Sequence, residues 1–336
     1  MTRRALPIQN SPTEPQGEQS EERPRIGTSA CLLGRPVRYD GGGKRDRYLT
    51  GIVEQFFELV PVCPEVESGL GTPRETLRLV GQVGGEAPAL ISRSGIDQTE
   101  LLQETSRRLI ERLSGQDLSG FVLKSGSPSC GMERVRVYDA NGVPSKSGRG
   151  IFARALIEAF PSLPVEEEGR LNDAAIRENF FARVHAHRRV TNFFRTKWTV
   201  GSLSRFHARQ KLQVLAHDPA RYRRLGRLVA TAKGRDRAEV AANYISMLMS
   251  ALQIHSTRGR HANVLQHMLG YFSQEIDESE RHELVDLVDD YRNGLVPLGV
   301  PMTLLRHHLR RRGVEYLLQQ TYLSPYRREL KLRDAV

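Results

Sequence analysis

The sequence predicts an α/β amino-terminal domain on a mostly parallel, Rossmann-like sheet, followed by an all-α carboxy-terminal domain. Three observations predict it. Short apolar stretches alternate with amphipathic ones up to about residue 168, the order of strands joined through helices. From Asp173 onward the apolar pattern repeats at helical spacing instead, with no alternating strand. The chemistry divides at the same place, because all three cysteines precede residue 170 and all ten histidines follow it.

In order, RPRIGTSACLL reads as a first strand running into a loop at Cys31. GRPVRYDGGGKRDRYL is a Gly-rich polar loop, and GIVEQFFEL resumes an apolar, helical pattern. LVPVCPEV reads as a short buried strand broken by Pro64, which has no amide hydrogen for a ladder. Residues 98–113 carry apolar side chains at helical spacing, and Phe121 to Lys124 form a strand opening into the loop of Cys130. GRGIFARALIEAF starts a helix at a glycine turn, and LPVEEEGRL supplies a last short strand and the exit. The first domain therefore spans 25–168 and the second 169–336, whose amphipathic segments break at Gly and Pro. Residues 1–24, rich in Pro, Gln, Glu and Ser, read as a disordered leader.

A chain of 336 residues is long enough for two such cores. No apolar run approaches the roughly 18 residues that span a bilayer, so no membrane association is expected. The amino terminus lacks the apolar core of a signal peptide, and three cysteines do not suggest disulfides, so the expected compartment is cytoplasmic. Net charge is +11, unevenly spread: residues 170–336 hold 29 Lys+Arg against 16 Asp+Glu, and the rest is slightly acidic.

Cys31, Cys63 and Cys130 belong to no CxxC pair, and their separations match no zinc-finger or ferredoxin spacing. Each nevertheless falls where a predicted strand gives way to a loop containing Gly or Pro. The carboxyl ends of parallel strands line one edge of a sheet, where α/β domains place their sites. Two readings stand: three small buried hydrophobes, or three thiols converging on one site. The run GGGKRDR lacks the GxxxxGK[ST] pattern, which excludes a P-loop and leaves a basic loop at a substrate mouth.

From Arg170 to Arg260 the balance is 19 basic to five acidic residues, with Phe194, Trp198, Phe206 and Tyr222 interleaved. The candidates for contacting phosphates are Arg188, Arg189, Arg195, Lys197, Arg205, Arg209, Lys211, Arg223 and Arg224. Solvated helix faces are the plainer explanation of charge runs, but a one-signed excess favours RNA, recognised by shape and phosphates. The HAH and HH pairs lack carboxylate partners and do not make a metal site.

SACLLGRPVRYDGG, CPEVESGLGTPRE and LKSGSPSCG, in this order over about residues 24–165, resemble the thiouracil desulfidase family of small iron–sulfur enzymes. The helical part resembles a domain of once-unknown function often fused behind it, a fusion similar to bacterial desulfidases of 4-thiouridine in transfer RNA. The resemblance implies that Cys31, Cys63 and Cys130 hold a [4Fe-4S] cluster. With no other cysteine in the chain, one iron would lack a protein ligand and act as a Lewis acid. The implied reaction is non-redox: water adds at the thiocarbonyl carbon and the C–S bond breaks, converting 4-thiouridine in tRNA to uridine with release of sulfide. Reaching the base in folded RNA implies prying it out, as base-flipping enzymes do.

Water addition needs a proton carrier, and Glu65, two residues after Cys63, is the first candidate; its plain alternative is a helix-capping carboxylate. Ser127 and Ser129 are candidates for hydrogen bonds to cluster sulfur or the base, or else simply shape a turn. Lys124 is a candidate for offsetting the cluster's charge or binding phosphate, and Ser29 is a further candidate. Asp40 reads as an Asp-Gly turn, and Glu67 is a lesser carboxylate. The expected partner is tRNA carrying 4-thiouridine, and no protein partner is inferable. Two rivals stand beside this reading: a desulfidase of free thiouracil or thiouridine, and a non-catalytic RNA-binding protein with a zinc or redox-sensing cysteine site.

Overall fold

The computed structural model describes residues 23–82, 87–330 and 332, so the leader expected over 1–24 lies, but for its last two residues, outside the described residues. The described strands are β1 (Arg25–Ser29), β2 (Glu58–Val62), β3 (Leu77–Val80), β4 (Ala89–Ser92), β5 (Leu118–Leu123), β6 (Val135–Tyr138), β7 (Pro144–Gly148) and β8 (Val165–Glu167). The first sheet has the order β2-β1-β5-β8 and is parallel throughout, as the alternation predicts. Its central strand β5 is buried along its whole length, the mark of a parallel sheet covered on both faces.

Between the strands lie α1 (Glu54–Phe56), continuing a π-helical turn at Leu49–Val53, then α2 (Pro64–Glu67), α3 (Thr99–Ser114) and α4 (Ile151–Ala159). On one face of the sheet Phe121 and Leu123 pack with Leu109 and Leu113 of α3 and with Phe152 and Leu156 of α4. The other face is closed by a helix from beyond the expected boundary, α5 (Ala174–Arg195). Its Phe180, Phe181 and Val184 share one core with Ile26 and Val122, and Tyr326, Leu330 and Leu332 return from the chain end to the same cluster. Gly120 makes the close approach possible, since a Cβ there would stand 2.7 Å from the Val184 methyl. Asp117, just before β5, is ion-paired to both Arg188 and Arg195 of α5. The packing unit thus crosses the 168/169 division.

A second sheet, order β4-β3-β6-β7, was not foreseen. Its β3/β6 pair is parallel and its β3/β4 and β6/β7 pairs are antiparallel. These strands span only four or five residues: β3 (LRLV) and β6 (VRVY) alternate, but too briefly to stand out from loops, and β7 (PSKSG) offers one proline among serines, a lysine and a glycine.

After α5 the chain is helical: α6 (Val200–His217), α7 (Pro219–Ala230), α8 (Arg237–Leu252), α9 (Arg258–Phe272), α10 (Glu278–Asn293), α11 (Gly299–Arg312) and α12 (Glu315–Leu318). The starts are written in the sequence, because Asp173, Thr199, Asp218, Asp236, Thr257 and Asp277 each accept hydrogen bonds from first-turn amides. Gly294 and Gly313, left-handed, end α10 and α11.

Candidate active site

Three loops at the carboxyl edge of the parallel sheet each deliver one cysteine. Cys31 sits in a 3-10 turn (Ala30–Leu33) directly after β1, and its carbonyl accepts from the Gly34 and Lys44 amides at 3.1 and 2.8 Å. Cys63 follows β2 and precedes α2, whose first residue, Pro64, needs no hydrogen-bond acceptor. Cys130 lies in the turn after β5, where the Ser127 hydroxyl accepts from the Ser129 and Cys130 amides at 3.2 and 3.1 Å. Since β1 lies between β2 and β5, the three loops are neighbours. All three cysteines line one cavity of about 260 Å³.

The thiols are electrostatically strained against ionising. Burial, then the neighbouring Cys63, pushes Cys31 up to about 11, with Lys124 opposing. Burial raises Cys63, helped by Glu65. Burial, then Cys63, holds enclosed Cys130 well above the usual thiol range, while Ser29 works the other way. Three thiolates here therefore need added positive charge, which bound metal supplies. Among the described residues no three His, Cys, Asp or Glu side chains converge closely enough to hold a single metal ion; the three sulfurs ring a cavity instead. Soft sulfur donors around such a space fit an iron–sulfur group.

Glu65, in the first turn of α2, also lines the cavity. One carboxylate oxygen takes two N–H donors from Arg74, Nε at 2.9 Å and Nη2, and the other accepts the Ser129 hydroxyl at 2.7 Å. Arg74 is nearly buried and also donates to the Val37 and Gly71 carbonyls at 3.0 and 2.9 Å. The pair is thus fully hydrogen-bonded, the condition under which a buried ion pair is tolerated.

Ser127 is a turn residue by geometry, although it also lines the cavity. Ser129 is fully buried behind the Glu65 carboxylate. The Ser29 hydroxyl accepts the Lys124 amide at 2.9 Å, tying the first loop to the third. Lys124 lines the cavity, but its ammonium is engaged by Glu168 and by the Ser125 hydroxyl and carbonyl. Arg74, Ser125 and Glu168 were missed by the sequence reading. Arg74 stood within the motif CPEVESGLGTPRE, yet nothing in spacing announces that an arginine nine residues on returns to Glu65.

The basic candidates divide. Arg188 and Arg195 hold Asp117, Arg189 donates to the Pro325 carbonyl at 2.7 Å, and the Lys211 ammonium lies over the rings of Tyr271 and Tyr316. Lys197, Arg205, Arg209, Arg223 and Arg224 are exposed. The interleaved aromatics are core rather than a stacking surface: Phe193 stacks on Phe206 at 4.5 Å, and Trp198 is buried beside Phe194. His185 and His187, the HAH pair, are held neutral by burial, with values lowered to about 3 and about 4.

Fold and site together define a class: a parallel α/β domain that gathers three thiols and an anchored carboxylate at one strand edge, with a helical, basic extension. Residues 26–168 match the family model described as 2-thiouracil desulfurase, and residues 211–327 match that of a protein family of unknown function, DUF1722. The chain belongs to the 2-thiouracil desulfurase family. It is 35% identical over 138 residues to the uncharacterized protein YbgA of Escherichia coli (strain K12), covering 41% of this chain and 82% of that one. It is 31% identical over 150 residues to the uncharacterized protein YbbK of Bacillus subtilis (strain 168), covering 43% and 96%. A solved structure titled [4Fe-4S]-dependent thiouracil desulfidase TudS is 33% identical, covering 44% of this chain and 93% of that one, with a TM-score of 0.37.

Proposed function

We propose that this chain is an iron–sulfur desulfidase that converts 4-thiouridine in transfer RNA to uridine, consuming water and releasing sulfide. One observation carries the reading: the only three cysteines of the chain line a single cavity together with a carboxylate clamped by Arg74 and Ser129. Membership of the desulfurase family supports C–S cleavage, and the name of the TudS relative supports the cofactor.

Cys31, Cys63 and Cys130 are the residues that would hold a [4Fe-4S] cluster. When bound, it supplies an iron with no protein ligand, a Lewis acid suited to the soft sulfur of a thiocarbonyl. The rest falls to the chain. Glu65 takes a proton from the water whose oxygen replaces sulfur and returns it to the departing sulfur. Arg74 and Ser129 hold the carboxylate in place, so the proton moves without a search for geometry. Ser29, whose hydroxyl accepts the Lys124 amide, ties the Cys31 loop to the strand end that leads to Cys130. Lys124, balanced by Glu168, offsets negative charge beside Cys31.

The RNA assignment rests on the exposed cations of α6 and α7. The test is to incubate anaerobically reconstituted protein with thiolated tRNA and follow loss of the near-ultraviolet thiouridine band. Loss with the native chain, absent from the variant with all three cysteines replaced by alanine, supports the proposal. No loss with full iron content sinks it, and a colourless protein containing zinc points to the binding-only rival. Equal turnover of 4-thiouridine nucleoside and tRNA would favour the free-base rival. Cutting the chain at residue 170 is not a fair test of that rival, because α5 and the chain end complete the α/β core.

A further inference from the structure

We propose that Tyr39 is the face on which the thio-base stacks at the mouth of the cysteine cavity. This rests on the desulfidase reading and adds the group that would orient its substrate. Tyr39 lines the cavity yet is 43% exposed, whereas the apolar side chains lining the same cavity, Val37, Val62 and Leu77, are covered at least in part. Its ring meets no other aromatic among the described residues.

This exposure does not come from a loose loop. The Arg38 amide donates to the Gly42 carbonyl at 3.1 Å and Gly41 donates back to Arg38 at 2.9 Å, closing a tight turn. Gly41, at φ 78°, adopts the left-handed conformation that closure requires. The Asp40 carboxylate accepts the Gly42 amide at 3.0 Å. The Tyr39 carbonyl accepts the Arg74 amide at 2.9 Å, and the Arg74 guanidinium binds both the Val37 carbonyl and Glu65. One arginine therefore sets the distance between the Tyr39 backbone and the carboxylate. A large apolar ring pinned in water at a cavity lip is a ligand face, not core. The Arg38 guanidinium lies over the ring, 5.5 Å from its centroid, and the ring still keeps much of its surface in solvent for a planar ligand. A pyrimidine fits that demand, since every base has a π-face to stack on an aromatic side chain.

The test compares native protein with Tyr39→Ala and Tyr39→Phe, each reconstituted with its cluster. Calorimetric titration with uridine 5′-monophosphate reads binding of the product base, and KM for 4-thiouridine 5′-monophosphate reads the substrate. Removing one base-stacking partner predicts about a ten- to hundredfold weaker Kd and higher KM for Tyr39→Ala. Tyr39→Phe, which keeps the ring, should stay within about threefold of native, and iron content should be equal in all three. Unchanged binding by Tyr39→Ala overturns the inference while native turnover keeps the desulfidase reading intact. Equal losses in both variants, or loss of iron in Tyr39→Ala, also overturn it by assigning Tyr39 a hydroxyl or structural role. Failure of the native protein to act on any thio-base would instead sink the desulfidase reading itself.

Discussion

Gly150, the cap of α4, decides where Cys130 stands, and Gly150→Ala tests this without touching a ligand. Its φ of −61° and ψ of 148° suit any residue, so the substitution strains no backbone. The effect is steric: a Cβ would stand 2.5 Å from the Ser129 carbonyl carbon and 2.8 Å from the Cys130 amide nitrogen. Ordinary contacts between such atoms lie near 3.5 Å or beyond, so helix and loop must part by about 1 Å. The hydrogen bonds that join them run from the Gly150 amide to the Gly131 carbonyl at 2.8 Å and from the Ile151 and Ala153 amides to the Pro128 and Ser129 carbonyls, both at 3.2 Å. Overpacking of this kind costs about 1–3 kcal/mol, a drop of several degrees in melting temperature. A shift of about 1 Å exceeds the few tenths of an ångström that a metal site tolerates, so cluster loading should fall far more than stability. Iron and sulfide per chain after anaerobic reconstitution, beside a thermal melt, read both effects. Gly226→Ala in α7, where a Cβ meets nothing within 4 Å, is the control. Full iron in the Gly150 variant, or equal iron loss in the control, would refute the reasoning.

Glu65→Gln should keep native iron content and lose about 10²- to 10⁴-fold in kcat for the thio-base, as expected when a proton carrier is removed; native kcat would remove Glu65 from the chemistry. Reversing Arg205, Arg209, Arg223 and Arg224 to glutamate should weaken tRNA binding and flatten its salt dependence, by about 0.7–0.9 in slope for each phosphate no longer neutralised, with nucleoside turnover unchanged; a slope equal to native would argue against these faces. His185, His187 and His207 are lowered to about 3, 4 and 4, chiefly by burial. Protons therefore bind the unfolded chain first, so stability held above pH 6.5 is lost as pH falls towards 4. Each costs about 2 kcal/mol at pH 5, and urea melts at pH 7 and pH 5 should show a midpoint falling steeply, where a flat profile would contradict their neutral burial.

The parallel sheet was legible because its strands are apolar runs joined by amphipathic helices, and the cysteines sit where those runs stop. The helical half was legible because its periodicity and its Asp and Thr caps agree. The small mixed sheet was not, since the alternation in β3 and β6 lasts only four residues, and β7 (PSKSG) owes its place to pairing with β6. The Arg74–Glu65–Ser129 chain was only half legible. Glu65 and Ser129 stood beside cysteines, but their hydrogen bond joins residues 64 apart, a relation that one-dimensional spacing does not encode. The same geometry separates the two serines: Ser127 accepts the amides of its turn while lining the cavity, and Ser129 donates to the carboxylate.

Charge is where counting and structure part most instructively. The excess of 19 basic over five acidic residues between 170 and 260 treats every cation as available. In the fold, Arg188 and Arg195 are attached to Asp117, so part of the basic run fastens α5 to the α/β domain. The aromatics between those cations pack against the helical core, Trp198 buried and Phe194, Phe206 and Tyr222 partly so. What is left for an anionic partner is the exposed set: Lys197, Arg205 and Arg209 on and before α6, Arg223, Arg224 and Arg227 on α7, and further on Lys233, Arg237 and Arg258. Beside them on α6, Lys211 lies over the paired, exposed rings of Tyr271 and Tyr316. A base whose sulfur is to be replaced must nevertheless reach the cysteines, and among the exposed tyrosines Tyr39 is the one that lines their cavity.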